Sequence, residues 1–274
     1  MRKALRFKIK QPSAHYRDPK VFQNDYISTL NLPTRTSILG MITYLCDKRL
    51  SSDLDGKSSI NIGVIGTYRN KSVEFSRGEK MDFWDNYRKL KGSKEREKFL
   101  KYGEYYDFYK NYKAENSILN YEVLREVELS IFFSCDDEEE YLLVKRSLEN
   151  PGKYMNLGRK EDFVVPYTKG DFVEEVELLE TFSASTRDAV KNRLKLKNSY
   201  IKVDLKEHEK YEEILNSGTL IALPRKYKDI KDIKENRTIE FCHYIYIGEE
   251  GIYPKNLKVN VYDNGESKEV FTWL

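Results

Sequence analysis

Three histidines are all that this sequence of 274 residues offers for proton transfer near neutral pH. His208 lies in a charged helical stretch, and His243 stands between Cys242 and Tyr244 in a strand-like run. His15 is different, because it shares a loop with Tyr16 and Arg17 close to a basic segment. A metal-independent ribonuclease uses a histidine as general acid or base with Tyr and Lys nearby, so His15 is the candidate for that chemistry. Other chemistries find less support. Gly63 and Gly66 do not make a dinucleotide fingerprint, there is no Walker loop, and no His, Cys and Asp cluster has metal spacing. The acidic run Asp136 to Glu140 reads as a solvated helix start. Neither a cofactor nor a metal is expected.

A second stretch invites an anion rather than a reaction. In Leu32-Pro33-Thr34-Arg35-Thr36-Ser37-Ile38-Leu39-Gly40-Met41, Pro33 bars helix before it, and Thr34, Thr36 or Ser37 can cap a helix start. Ile38, Leu39, Met41, Ile42, Leu45 and Cys46 then recur at the spacing of one buried helix face. Unpaired N–H groups at that start, with Arg35 beside them, suit a phosphate. Gly40, which costs roughly 1 kcal/mol against Ala in a helix, suggests close approach by another backbone. The plain alternative is a capped core helix with a solvated arginine.

These residues sit in a strongly polarised chain. Residues 1–40 carry eight Lys/Arg (Arg2, Lys3, Arg6, Lys8, Lys10, Arg17, Lys20 and Arg35) against Asp18 and Asp25, a surplus of +6. The rest holds 40 basic and 43 acidic residues, so the asymmetry points to an anionic partner. The 21 Tyr and 13 Phe add surfaces on which bases stack. Mean hydropathy is −0.71, and no apolar run approaches the roughly 20 residues of a membrane span. The N-terminus has charges where a signal peptide is apolar. Cys46, Cys135 and Cys242 are odd in number and far apart, which argues against a disulfide framework. A reduced, cytoplasmic protein without a membrane partner is expected.

The elements that must position these residues follow from periodicity. Leu5, Phe7 and Ile9 alternate with Arg6, Lys8 and Lys10 as a strand. A loop and a helix from about Ser37 to Leu50 follow, then a second strand through Ile60, Ile62 and Val64 that ends near Tyr68 to Lys71. Lys80 to Lys113, dense in Lys, Arg and aromatics, reads as helical. Val127, Leu129, Ile131 and Phe133 form a third strand, and a helix runs through Tyr141, Val144 and Leu148. Phe163 and Val165 open a fourth strand. The order is that of an α+β, ferredoxin-like (RRM-like) βαββαβ domain over residues 1–170, with an insertion at about 76–120. Both helices cover one sheet face, leaving the face of Arg6, Lys8 and Lys10 for a ligand or a further layer. Residues 171–274 read as a smaller β-rich C-terminal subdomain, with a short basic helix after Ser185 and another near Glu207 to Leu215.

Several stretches together resemble a known family. The opening strand and the Leu32 to Met41 stretch are similar to the Pro, Ser and Gly-Met signature of the fifth CRISPR-associated (Cas) protein family, within the RAMP superfamily. Tyr154-Met155-Asn156-Leu157-Gly158-Arg159 resembles its Y-x-x-LGR element, and Leu223-Pro224, Arg237 and the strand Ile239 to Ile247 resemble its ending. Length and the tyrosine-rich insertion look most like the type I-B branch. The resemblance implies a non-catalytic subunit of Cascade, the RNA-guided antiviral surveillance complex. Such a subunit grips the 5′ handle of the CRISPR RNA, caps the backbone-subunit filament and contacts the large subunit, so that target DNA is met only indirectly. It also implies that the insertion is a thumb-like extension, with Trp84, Tyr87 and Arg88 as its partner contacts. One branch, type I-C, cuts repeat RNA with Tyr, Lys and an adjacent His. This chain has no Lys-His pair, so that activity is not carried over, and a repeat-cutting endoribonuclease stands as the alternative.

The expected RNA path runs across His15, Tyr16 and Arg17 and the helix start at Arg35, Thr36 and Ser37. Lys8, Lys10, Tyr68, Arg69 and Arg159 border it, with Tyr16 or Tyr68 stacking on a base.

Overall fold

The computed structural model describes residues 2–19, 26–48, 50, 60–79, 116–166, 172–227 and 239–274. The first half comprises β1 (Arg2–Ala14), β2 (Tyr26–Ile27), α1 (Arg35–Cys46), β3 (Asn61–Thr67), β4 (Asn70–Glu79), β5 (Asn116–Ser134), α2 (Glu138–Glu149) and β6 (Val165–Pro166). Then come β7 (Val173–Ser183), α3 (Thr186–Lys191), β8 (Ser199–Val203), α4 (His208–Leu215), β9 (Thr219–Tyr227), β10 (Ile239–Ile247), β11 (Leu257–Asp263) and β12 (Lys268–Phe271). The expected thumb contacts Trp84, Tyr87 and Arg88, and the helical reading of residues 80–113, lie outside the described residues.

Among the described residues a single sheet of twelve strands runs through both segments that the sequence had divided at residue 170, nine of them in the order β12-β11-β7-β1-β5-β3-β8-β10-β9, with β2 and β4 paired to β5 and β6 to β1. Its long pairings are antiparallel, including β1 with β5, β3 with β5 and β1 with β7. Alternation in β1 explains its central place, since Leu5, Phe7 and Ile9 are fully buried beneath α1 and α2, beside Ile38, Ile42, Val144 and Leu148. Thr34 caps α1 by accepting from the Ser37 amide, so the helix begins two residues earlier than expected and ends four earlier, at Cys46. Asp137 caps α2 in the same way through the Glu140 amide, with Glu138, Glu139 and Glu140 in the first turn.

The opposite face carries a further layer. Phe271 of β12 stacks on Phe132 of β5 with centroids 4.2 Å apart, and the Leu274 amide donates to the Ile62 carbonyl at 2.9 Å. A Cβ at Gly63 would fall 2.3 Å from the Phe271 ring, so only glycine admits this contact. Arg6 is buried there, bonded to Glu174 and Glu269 and lying 4.7 Å above the Tyr262 ring. The face of Arg6 is therefore not left for a ligand, because the chain's own C-terminal strands cover it.

The second strand, β3, ends at Thr67, beside the expected end near Tyr68 to Lys71, but a strand that was not expected follows it. After Tyr68 and Arg69 the chain continues as β4, paired with β5 from Asn70–Arg125 out to Glu79–Asn116. Glu126, at φ 52°, sits opposite this break. The two ends of the expected insertion are thus a β-ribbon projecting from the sheet. The fourth strand shifts as well: β6 is two residues long, and β7 takes the main place beside β1.

Candidate nucleic-acid interface

One end of β1, the base of the ribbon and the loop around Leu157-Gly158-Arg159 converge on a cleft of about 570 Å³. Gln11 begins the assembly. Its side-chain amide donates to the Leu157 and Asp162 carbonyls at 2.8 and 3.1 Å, and its oxygen accepts from the Tyr16 hydroxyl at 2.6 Å. Asp162, fully buried, closes the loop. It accepts from the backbone amides of His15 and Arg159 and twice from the Arg159 guanidinium, at 2.8 to 3.2 Å. Gly158 lies at φ 111°, where a Cβ would fall 2.8 Å from both Asp162 Oδ2 and the His15 carbonyl oxygen. This LGR glycine answers to backbone crowding.

Arg159 then reaches across to the ribbon. Its Nη1 donates to Glu74 at 3.0 Å, Glu74 also binds Arg125 at 3.0 Å, and the guanidinium sits 5.7 Å over the Tyr121 ring. Burial works against this charge, but hydrogen bonds to Asp162 and Glu74 outweigh it and raise its pKa. Arg159 is therefore a cross-link between loop and ribbon. Asp162 and Glu74 were missed in the sequence, and the only trace of them was the three-residue spacing from Arg159 to Asp162.

His15 is 3% exposed. Its Nδ1–H donates to the Glu122 carbonyl at 2.7 Å, and its ring meets Tyr121 edge-on at 5.4 Å. Burial lowers its pKa, and the charges of Arg159 and Arg17 push the same way, so the ring is neutral near pH 7. Nε2 is then an acceptor, and among the described residues it has no hydrogen-bond partner.

The expected site residues divide clearly. His15, Tyr16, Arg17, Ser37 and Arg159 line the cleft together, joined by Glu74, Phe75, Tyr121 and Glu161. Tyr16 is 2% exposed and held at both ends, so it is not a free stacking platform. Phe75 on β4, at 70% exposure, is the open aromatic. Arg35 and Thr36 do not line the cleft. The Arg35 guanidinium turns inward to the Arg225 and Ile60 carbonyls at 3.0 Å each, which removes it from the phosphate role expected of it. Thr36 bonds the capping Thr34 hydroxyl at 2.9 Å. Tyr68 packs on the core and donates to Asn31, and Arg69 pairs with Glu126 at the surface. Lys8 is half-buried on the Arg6 side, and Lys10 pairs with Glu128 at 2.5 Å. A Cβ at Gly40 would have nothing within 4 Å among the described residues, so none of their backbone approaches it.

The charges lining the cleft balance, with Arg17 and Arg159 against Glu74 and Glu161. Two carboxylates and a neutral imidazole are hydrogen-bond acceptors, which repel a phosphate but suit the N–H edge of a base. Among the described residues there is no group of three His, Cys, Asp or Glu placed to hold a metal.

Residues 4–216 match the model of the family described as CRISPR-associated protein (Cas_Cas5). The chain belongs to that family. No curated protein matches this family member by sequence. Among solved structures it is similar to a chain of a "CRISPR RNA-guided surveillance complex", at 10% identity and TM-score 0.47, covering 92% of this chain and 90% of that one. It is also similar to a CRISPR protein from Archaeoglobus fulgidus, at 11% identity and TM-score 0.43 over 99% and 100% of the two chains. A chain of the Type III-B Cmr-beta complex, bound to cognate target RNA and AMPPnP, matches at 16% identity and TM-score 0.35, over 90% and 85%. No described helix of this CRISPR-associated protein is long and apolar enough to cross a membrane.

Proposed function

We propose that this protein is a non-catalytic subunit of a type I, Cascade-type surveillance complex, nearest the type I-B branch, and that it holds the 5′ handle of the CRISPR RNA. In this role it caps the backbone filament and contacts the large subunit, meeting target DNA only indirectly. Family membership supports the setting, and the cleft carries the site: an aromatic, acceptor-lined recess with Arg17 on its wall, at the root of a projecting ribbon. The N-terminal half is ferredoxin-like on this reading. Support comes from the antiparallel order β7-β1-β5-β3, with α1 joining β1 to β3 and α2 joining β5 to the β6–β7 edge. The ribbon β4–β5 corresponds to the thumb-like extension.

In the cleft a handle base stacks on Phe75, its N–H edge faces the acceptors, and Arg17 takes a flanking phosphate. Phe75→Ala should weaken handle RNA by about 1–3 kcal/mol with the salt slope unchanged. Arg17→Ala should weaken all single-stranded RNAs and lower the slope by about 0.7. Fluorescence anisotropy against salt measures both, and unchanged binding in both variants places the handle elsewhere. The endoribonuclease alternative asks a histidine to reach a scissile phosphate, and His15 is buried with Nδ1 held by a carbonyl. Repeat RNA incubated with the wild type should stay intact with and without divalent metal. A single cut that is lost in His15→Asn would establish the alternative.

A further inference from the structure

A second cluster lies on the helix-covered side of β8, β10 and β9, beyond the start of α1. Lys202 and Tyr244 are directly opposite in the β8–β10 ladder and therefore share a face. In the β10–β9 ladder, Glu240 pairs with Lys226 and Phe241 with Pro224, so Arg225 falls in a bulge. Bulges re-aim side chains. The Lys202 ammonium and the Tyr244 hydroxyl both feel the same four groups, Arg225, Arg35, Cys242 and Glu240. Arg35, whose guanidinium donates to the Arg225 carbonyl at 3.0 Å, fixes this corner.

Among the described residues the cluster holds three cations, Arg35, Lys202 and Arg225, and one carboxylate, Glu240. Lys202 and Arg225 are half-buried, and no ion pair joins the side chain of either to another described residue. Tyr244 is 1% exposed and its hydroxyl has no hydrogen-bond partner among the described residues. Burial lowers the pKa of Lys202, and the charges of Arg225 and Arg35 lower it further, against the opposite pull of Cys242 and Glu240. Burial pushes the Tyr244 phenol up to about 12, so it remains a donor. Crowded, half-buried cations and an unanswered buried donor are costly alone, and an anion with several acceptor oxygens satisfies all of them.

We propose that Lys202, Arg225 and Tyr244 form a second ligand site, distinct from the cleft, that takes a phosphate group. RNA backbone is the favoured source, because the first turn of α1 joins the two places: Ser37 lines the cleft, and Arg35, two residues earlier, anchors the cluster. A strand leaving the cleft along that turn meets these cations next.

The test uses the full chain and two ligands. In thermal melting at matched ionic strength, inorganic phosphate or pyrophosphate should raise the wild-type midpoint above sodium chloride. Lys202→Met and Arg225→Gln should each reduce that response, and their combination should abolish it. Tyr244→Phe, which keeps the ring and its packing, should reduce it as well. An absent wild-type response, or an equal one in the double variant, overturns the site. In the RNA arm, the double variant should lower the salt slope for single-stranded RNA by about 0.7 for each phosphate no longer neutralised. An abolished phosphate response with an unchanged RNA slope keeps the site and assigns it to a free phosphorylated molecule. The phosphate arm stands independently of the handle-binding reading.

Discussion

At the scale of single residues, the cleft is built by groups that hold one another more than by groups left free. His15 shows this best. The sequence marked it as the candidate for proton transfer, and the fold uses it as a neutral ring pinned by Nδ1 to the Glu122 carbonyl. Its pKa lies below the unfolded value of about 6.5 because burial and the nearby arginine charges disfavour the imidazolium. The sign follows from linkage: between the two pKa values the unfolded chain binds more protons, so stability falls as pH drops below about 6.5. His15→Asn, which keeps a donor toward Glu122, should flatten the decline in thermal midpoint between pH 7 and pH 5. An equal decline in both proteins would mean that other groups set the acid sensitivity. Gly158 is the companion case. Ala there meets a positive φ and two oxygens at 2.8 Å, so Gly158→Ala should cost about 1–3 kcal/mol in urea unfolding. The sequence pointed to Arg17, Ser37 and Arg159 through charge, capping and the LGR resemblance. Asp162 and Glu74 were hidden because an acid's partner is set by tertiary approach, with Glu74 85 residues from Arg159 in the chain.

Among the elements, legibility followed how one-sided each was. α1 and α2 bury one face, and β1 and β5 alternate apolar residues against them, so all four were visible as periodicity, with the bounds of α1 corrected by the Thr34 cap and by the αL residue Asp47. β4 was not visible, because Val73 and Phe75 are exposed and its described side chains, 70–76, present no buried face. β8 and β12 are five and four residues long, too short for periodicity to register. What holds β4 is its ladder with β5, and its exposed apolar face contributes little to the core. Replacing residues 76–120 with a short Gly/Ser loop should therefore leave the fold intact. The midpoint should stay within a few degrees of wild type while incorporation into a backbone-subunit filament, followed by size-exclusion chromatography, is lost. Collapse of the trimmed protein would make the ribbon part of the core.

At the scale of the whole molecule, the positive surplus of residues 1–40 is largely answered from within. Arg2 faces Asp136 and Glu180, Lys3 faces Glu138 and Glu175, Lys10 faces Glu128, and Arg6 faces Glu174 and Glu269. The last pairing matters most for the architecture. Glu269 belongs to β12, 263 residues beyond Arg6, so this bond ties the last strand of the sheet to one near its middle. The Arg6 side chain is only 7% exposed, whereas Glu174 is 39% exposed and its share is screened by water. Glu269 is therefore the partner that compensates the buried charge. Breaking a buried pair from one side costs about 3–5 kcal/mol, whereas replacing both partners with apolar residues is often neutral. Glu269→Gln should thus lower the unfolding free energy by about 3 kcal/mol, at the low end because Glu269 is 20% exposed. Arg6→Met combined with Glu269→Leu should recover most of the loss. Urea unfolding followed by both Trp fluorescence and far-UV circular dichroism measures this, and Trp273, next to β12, reports on the C-terminal layer. If the layer is an integral wall of one core, both probes should shift together in Glu269→Gln. A fluorescence transition that precedes the circular dichroism transition would mean instead that the C-terminal strands open on their own, exposing the Arg6 face.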